Sequence, residues 1–152
     1  MALHIALYRP EIPPNTGNVA RLCVATGSVL HVIHPIGFSM SAKQVRRAGL
    51  DHWPHLTLHE HVDVDAFWAW VGERPVHLFS SHGARPHGAA AYRDGDVLLF
   101  GPESVGLPPE WVAERGAMRI PMTGPVRSLN LSNAVAVCTY EALRQIHPGL
   151  FA

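Results

Sequence analysis

The chain has 152 residues, 47% hydrophobic and 16% charged, with twelve basic residues balanced by twelve acidic ones. This composition excludes a disordered chain, and zero formal net charge argues against holding a polyanion by bulk attraction. No apolar run approaches the roughly 20 residues of a membrane-spanning helix. The first ten residues, Met1 to Pro10, lack a basic stretch followed by a long apolar core, so no signal peptide is expected. Cys23 and Cys138 sit among apolar neighbours, as buried free thiols do. A secreted domain more often carries several paired cysteines, so a cytoplasmic location is expected. Residues 1–152 read as one domain of ordinary size.

Short apolar strands alternate with amphipathic helices, which predicts an α/β fold with a mainly parallel sheet. Leu3 to Tyr8 is the first expected strand. Asn15 to Thr26 is a helix stopped by Gly27, and Val29 to Ile33 is the next strand. Ser41 to Ala48 reads as a short helix capped by Ser41 and stopped by Gly49. Asp63 to Val71 is a helix capped by Asp63. Val76 to Phe79 and Val97 to Phe100 are continuous apolar runs, as buried parallel strands are. A helix at Pro109 to Arg115, a strand at Ala117 to Ile120 and a closing helix at Asn130 to Ile146 complete the pattern.

Three Gly- and Pro-rich loops, Arg9 to Gly17, Gly101 to Pro109 and Pro121 to Ser128, each follow the C-terminal end of an expected strand. Ligands bind at that end of open α/β sheets. In the first, Asn15 sits where helix N–H groups favour an anion, and Asn18 and Arg21 share a helical face. A capped helix with an exposed arginine is the plainer alternative. In the second, Gly101 follows a buried strand directly and permits close approach to the backbone. The loop is neither a phosphate-binding loop nor a dinucleotide fingerprint, and Ser104 lacks nucleophile-elbow spacing. In the third, Ser128, Asn130, Ser132 and Asn133 exceed what capping a helix requires, which leaves candidates for a polar ligand. The helix that follows is apolar nearly all round. That predicts burial on more than one side, with Val135, Cys138 and Ala142 as a stripe against a second copy.

Lys43, Arg46 and Arg47 have i, i+3, i+4 spacing and form a compact basic face suited to phosphates, or simply a solvated one. The twelve basic residues are eleven Arg and one Lys; Arg suits bidentate phosphate contacts, although genome base composition produces the same bias. Among the eleven histidines, His52, His55, His59 and His61 invite a metal reading. Pro54 and the strand-like Leu56-Thr57-Leu58 break the register that convergent ligands need, so no metal is expected.

Five stretches carry a family resemblance: Glu11-Ile-Pro-Pro-Asn-Thr-Gly-Asn18, Arg46-Arg-Ala-Gly-Leu-Asp51, Asp94-Gly-Asp96, Phe100-Gly-Pro-Glu103 with Gly106-Leu-Pro108, and Asn130-Leu-Ser-Asn-Ala134. In this order they resemble the SPOUT superfamily of RNA methyltransferases. The chain is similar nearly end to end to its small TrmL/YibK branch of tRNA (cytidine/uridine-2'-O)-methyltransferases. The resemblance implies a sheet flanked by helices with a C-terminal deep trefoil knot. It implies S-adenosyl-L-methionine as methyl donor, without a metal, bound by Ser80, Gly101, Glu103, Ile120, Ser128 and Leu129. It implies Arg21, Asn15 and Asn130 as catalytic residues, and tRNA, with Lys43, Arg46 and Arg47 as candidate contacts. The expected reaction is 2'-O-methylation of the anticodon wobble nucleotide, cytidine or modified uridine, of tRNA-Leu, by a homodimer joined through the closing helix. The alternatives are another tRNA or rRNA ribose, or a non-catalytic nucleotide- or RNA-binding module; a serine hydrolase using Ser104 is the remaining rival.

Overall fold

A computed structural model describes residues 2–47 and 52–152. Seven strands form one sheet: β1 (His4–Tyr8), β2 (Val29–Ile33), β3 (Leu58–His61), β4 (Val76–Phe79), β5 (Arg85–Pro86), β6 (Val97–Phe100) and β7 (Met118–Arg119). Their order is β3-β2-β1-β6-β4-β7-β5, and every paired neighbour runs parallel. The expected α/β class holds. β6 lies between β1 and β4 with all four residues buried, which is why its sequence is apolar without alternation.

Five helices cover the two faces: α1 (Pro13–Thr26), α2 (Lys43–Arg46), α3 (Val64–Val71), α4 (Pro109–Arg115) and α5 (Leu131–Ile146). One core joins α1 and α5 to the sheet through Val19, Cys23, Val135, Cys138 and Ala142, packed on Ile5, Leu7, Leu98 and Phe100. The other joins α3 to the opposite face through Phe67 and Val71, against Ala6, Ile33 and Leu99, with Trp111 and Val112 of α4 partly buried there. Both cysteines are buried free thiols, and burial pushes Cys138 up to about 12.

The local signals explain most boundaries. α1 begins with Pro13 and Pro14, whose missing N–H groups cost nothing in a first turn. It ends at Gly27, whose φ of 65° is the left-handed value that glycine adopts freely. Asp63 caps α3 by accepting a hydrogen bond from Ala66 N at 2.8 Å. α5 starts one residue later than expected because Asn130 is its cap.

Other expectations need correction. α2 has only four residues, and its cap is Ala42, which makes no side-chain cap hydrogen bond. The Ser41 hydroxyl instead pairs with Ser39 at 2.7 Å. The expected end of that helix at Ala48 and Gly49 lies outside the described residues, as does most of the Arg46–Asp51 stretch. β3 and the two-residue β5 carry too few apolar side chains to show in the sequence pattern. The stripe expected to face a second copy does not: Val135, Cys138 and Ala142 are each 0% exposed, inside this chain's own core. The helix face left outward carries Val137 and Tyr140, 40% and 47% exposed. Among the described residues, no helix is long and apolar enough to cross a membrane.

Candidate active site

β6 runs into Gly101, β4 into Ser80 and β7 into Ile120. The C-terminal ends of these strands open into a cavity of about 860 Å³, within the size range of small-molecule sites. Phe79, Phe100, Leu107, Ile120 and Leu129 give it apolar walls, while Ser80, Glu103, Ser128, Asn15 and Asn130 bring polar groups. All six residues expected to hold the cofactor therefore line one cavity, together with two of the three expected catalytic residues. The Phe79 and Phe100 rings stack 4.8 Å apart at the cavity floor, an aromatic pair whose role the sequence did not signal.

The three loops are tied by one chain of hydrogen bonds. The Glu103 carboxylate accepts N–H bonds from Glu11 and Ile12, both at 2.8 Å, and from Asn15 Nδ2 at 3.3 Å. A carboxylate at the start of a helix also meets the positive end of its dipole. Asn15 Oδ1 in turn accepts from Asn130 Nδ2 at 3.0 Å. Asn130 Oδ1 then accepts from the N–H groups of Ser132 and Asn133, at 3.0 and 3.3 Å, and from the Ser132 hydroxyl at 2.7 Å. Asn15 is buried, so both its amide groups find partners where an unpaired one would be costly. Glu103 is thus engaged mainly with the start of α1.

A second clasp runs the other way. Ser104 donates to the Glu11 carboxylate through its backbone N–H at 2.8 Å and its hydroxyl at 2.7 Å. These bonds hold the Glu11 carboxyl below the usual carboxylate range. The Ser104 hydroxyl is committed to an acid and not to a histidine, which removes the serine-hydrolase reading. Glu11 stood in a resembling stretch without a role; only the fold brings it to Ser104, 93 positions away.

The structure separates other candidates. Arg21 is exposed on α1, about 9 Å along the helix axis from Asn15, and stands outside the cavity walls. Lys43 and Arg47 are exposed, but Arg46 is half-buried with its guanidinium 5.3 Å from the Trp53 ring centre. The expected three-residue basic face therefore presents two exposed cations, with Arg46 partly spent on a cation–π contact. Asp96 of the Asp94-Gly-Asp96 stretch is 3% exposed; its carboxylate accepts from Arg93 N at 2.9 Å and pairs with His77 Nε2 at 2.7 Å, so it builds the turn into β6.

A model of the SpoU rRNA Methylase family matches residues 2–140. The chain belongs to that family. A tRNA (cytidine(34)-2'-O)-methyltransferase of Escherichia coli (strain K12) is 49% identical over 153 residues, covering 97% of this chain and 96% of the relative. A solved structure described as giving insight into the 2-OH methylation of C/U34 on tRNA superposes with a TM-score of 0.92 at 51% identity, over 95% of each chain. The SpoU methyltransferase AviRb from Streptomyces viridochromogenes, solved with its cofactor AdoMet, superposes with a TM-score of 0.83 at 26% identity, over 95% of this chain and 57% of that one. The SpoU family match agrees with the SPOUT resemblance, and the parallel sheet agrees with its fold.

Gly101 is required in this SpoU-family loop for a reason other than ligand approach. A Cβ there would lie 2.3 Å from both Gly106 C and Leu107 N, which are backbone atoms that cannot swing aside. The geometry predicts lost stability for any side chain at Gly101. Overpacking of this kind costs about 1–3 kcal/mol, which urea unfolding of Gly101→Ala will show directly.

Proposed function

We propose that this chain is an S-adenosyl-L-methionine-dependent tRNA 2'-O-methyltransferase acting on the wobble nucleotide, cytidine or uridine 34. The observation that carries the proposal is the bonded meeting of Asn15, Glu103 and Asn130 at a cavity of about 860 Å³ in a chain 49% identical to a tRNA (cytidine(34)-2'-O)-methyltransferase. The cavity fits this donor: apolar walls suit a purine, and backbone edges with Ser80 and Ser128 suit its polar atoms. When bound, S-adenosyl-L-methionine supplies a methyl group made electrophilic by its sulfonium. The protein's task is to hold a ribose hydroxyl in line with that group, and alignment alone contributes several kcal/mol.

Residue roles follow from placement. Gly101, Ile120, Ser128 and Leu129 form the donor cradle, with Ser80 at its rim. Glu103 and Asn130 are positioning residues, because they fix Asn15 and the starts of α1 and α5. Arg21 keeps the catalytic role that the resemblance implies: it stands outside the cavity walls, and its exposed guanidinium is suited to the phosphate beside the target ribose. Lys43 and Arg47 extend the tRNA footprint, and Arg46 anchors their helix on Trp53. Residues 1–152 form one methyltransferase domain, working with its tRNA in the cytoplasm. The deep trefoil knot belongs to this reading. The active form is a homodimer through the outward face of α5, where Val137 and Tyr140 are exposed and Phe151 packs edge-on to Tyr140.

Incubation with labelled S-adenosyl-L-methionine and total tRNA, followed by mapping of the methylated nucleotide, tests the reaction. Label on the ribose of nucleotide 34 is the expected result; label elsewhere, or none, overturns the assignment. In the same assay Arg21→Ala should keep donor affinity and lose transfer by orders of magnitude, as a contact specific to the transition state does. Full turnover in that variant would exclude Arg21 from the chemistry.

Lys43→Ala with Arg47→Ala should weaken tRNA binding and flatten the log–log salt dependence by about one to two units. An unchanged slope would place the RNA elsewhere. Sedimentation should give a dimer for the wild-type chain at micromolar concentration and a monomer for Tyr140→Asp, because an unpaired charge in an interface is strongly destabilising.

A further inference from the structure

The strongest feature outside the cavity is a cluster of histidines on the α3 face of the sheet. His4 of β1, His31 of β2, and His59 and His61 of β3 share that face, because the register aligns His31 with His59 and Ile33 with His61. His31 is 0% exposed and His61 3% exposed, while His59 lies exposed on the sheet edge. Neither His52 nor His55 belongs to the cluster, and His31, distant in sequence, does. Spacing within 52–61 could not reveal a site whose central ligand comes from the neighbouring strand.

We propose that His31, His59 and His61 form a binding site for a divalent transition metal of the zinc class, with His4 orienting the central ligand. One nitrogen from each of the three rings lies within 4.8 Å of the others. His31 Nδ1 and His61 Nε2 face each other at 2.9 Å. Tetrahedral zinc with imidazole bonds near 2.05 Å needs ligand nitrogens about 3.3 Å apart. The pair must therefore open by about 0.4 Å, while His59, exposed at the edge with its ring stacked 4.2 Å from that of His61, supplies the third nitrogen. Three imidazoles without thiolate or carboxylate favour zinc, nickel or copper over magnesium or calcium.

The surroundings favour this use. Nε2 of His31 faces Nδ1 of His4 at 2.8 Å. With His31 donating that bond, its Nδ1 lone pair points to the ligand position; metal-binding histidines characteristically have such an orienting partner on the second nitrogen. Trp70 of α3 covers the cluster, with its ring 4.2 Å from the His31 ring. Phe67 packs edge-on to His61 at 5.3 Å. These rings fix His31 and His61 and leave the approach on the His59 side. Arg74 lies over Trp70, with its guanidinium 4.3 Å from the ring, and is the cation nearest the cluster. The donor cavity lies at the ends of β4, β6 and β7, and no histidine of the cluster lines it. The site would pin edge strand β3 to β2 without taking part in methyl transfer.

The test uses untagged, chelator-treated full chain titrated with zinc chloride alone in a calorimeter, with thermal unfolding followed in parallel. One zinc per chain and a higher melting temperature are expected. His59→Ala and His61→Ala should abolish that binding, and His4→Phe should weaken it by about 10- to 100-fold. A variant carrying His52→Ala and His55→Ala should bind as wild type does. Affinity for S-adenosyl-L-methionine should be the same in every variant and with or without zinc, which separates this outcome from the fate of the methyltransferase reading. Absence of zinc binding in the wild-type chain, or equal binding by His61→Ala, overturns the proposal.

Discussion

The hydrogen-bonded chain from Glu103 through Asn15 to Asn130 is the constraint on which the site depends. Asn15 lies in the first turn of α1, Glu103 in the loop after β6 and Asn130 at the cap of α5, each in a segment that follows a different strand. A buried asparagine with both amide groups paired is costly to disturb, since breaking either bond strands a polar group. The three loops therefore take one arrangement or none. Because Glu103 holds the start of α1 and Asn130 caps α5, the cavity is set by the same bonds that set the two helices on that face of the sheet. The reciprocal clasp of Glu11 and Ser104 makes the attachment of the first two loops double.

Much of the framework was legible in the sequence. The apolar run at 97–100 gave its strand limits correctly because β6 is buried on both faces, and 76–79 did so although His77 interrupts it and Val76 and His77 are only partly buried. The helix over 109–115 also has the limits expected of it, with Pro109 at its start and Gly116 after its end. β3 was not, since His59 and Glu60 are exposed at the sheet edge and break the apolar pattern. The short α2 was overread because Ser41 resembles a cap, but its hydroxyl turned to Ser39. α5 was read as apolar nearly all round, which holds for Ala134 to Tyr140 but not for Glu141, Arg144 and Gln145; periodicity could not say which stripe met the chain's own core. The stripe of Val135, Cys138 and Ala142 is the inner one.

The site was legible as loops but not as bonds. Motif residues marked Asn15, Glu103 and Asn130 separately, and all line the cavity. That Glu103 serves α1, and that Glu11 serves Ser104, depends on contacts across about ninety residues. Gly101 was marked as a place of close approach, which it is. The partner is the chain's own backbone at 106–107, a relation that only the fold reveals. The division of the basic cluster, with Arg46 against Trp53 and Lys43 and Arg47 exposed, is likewise a tertiary fact.

The outer edges of the sheet bear on how the protein survives at high concentration. An exposed strand edge invites pairing with another chain, and long flat edges are aggregation hazards. Here one edge is β5, two residues long, with exposed Arg85 and with Pro86, which lacks an N–H to offer. The other is β3, four residues long, where exposed His59 and Glu60 interrupt any apolar surface. The parallel sheet at the centre of the fold, slow to assemble because its neighbours are distant in sequence, thus ends on both sides in strands poorly suited to recruit a third party. Neither edge of the sheet offers another chain a long apolar strand to pair with.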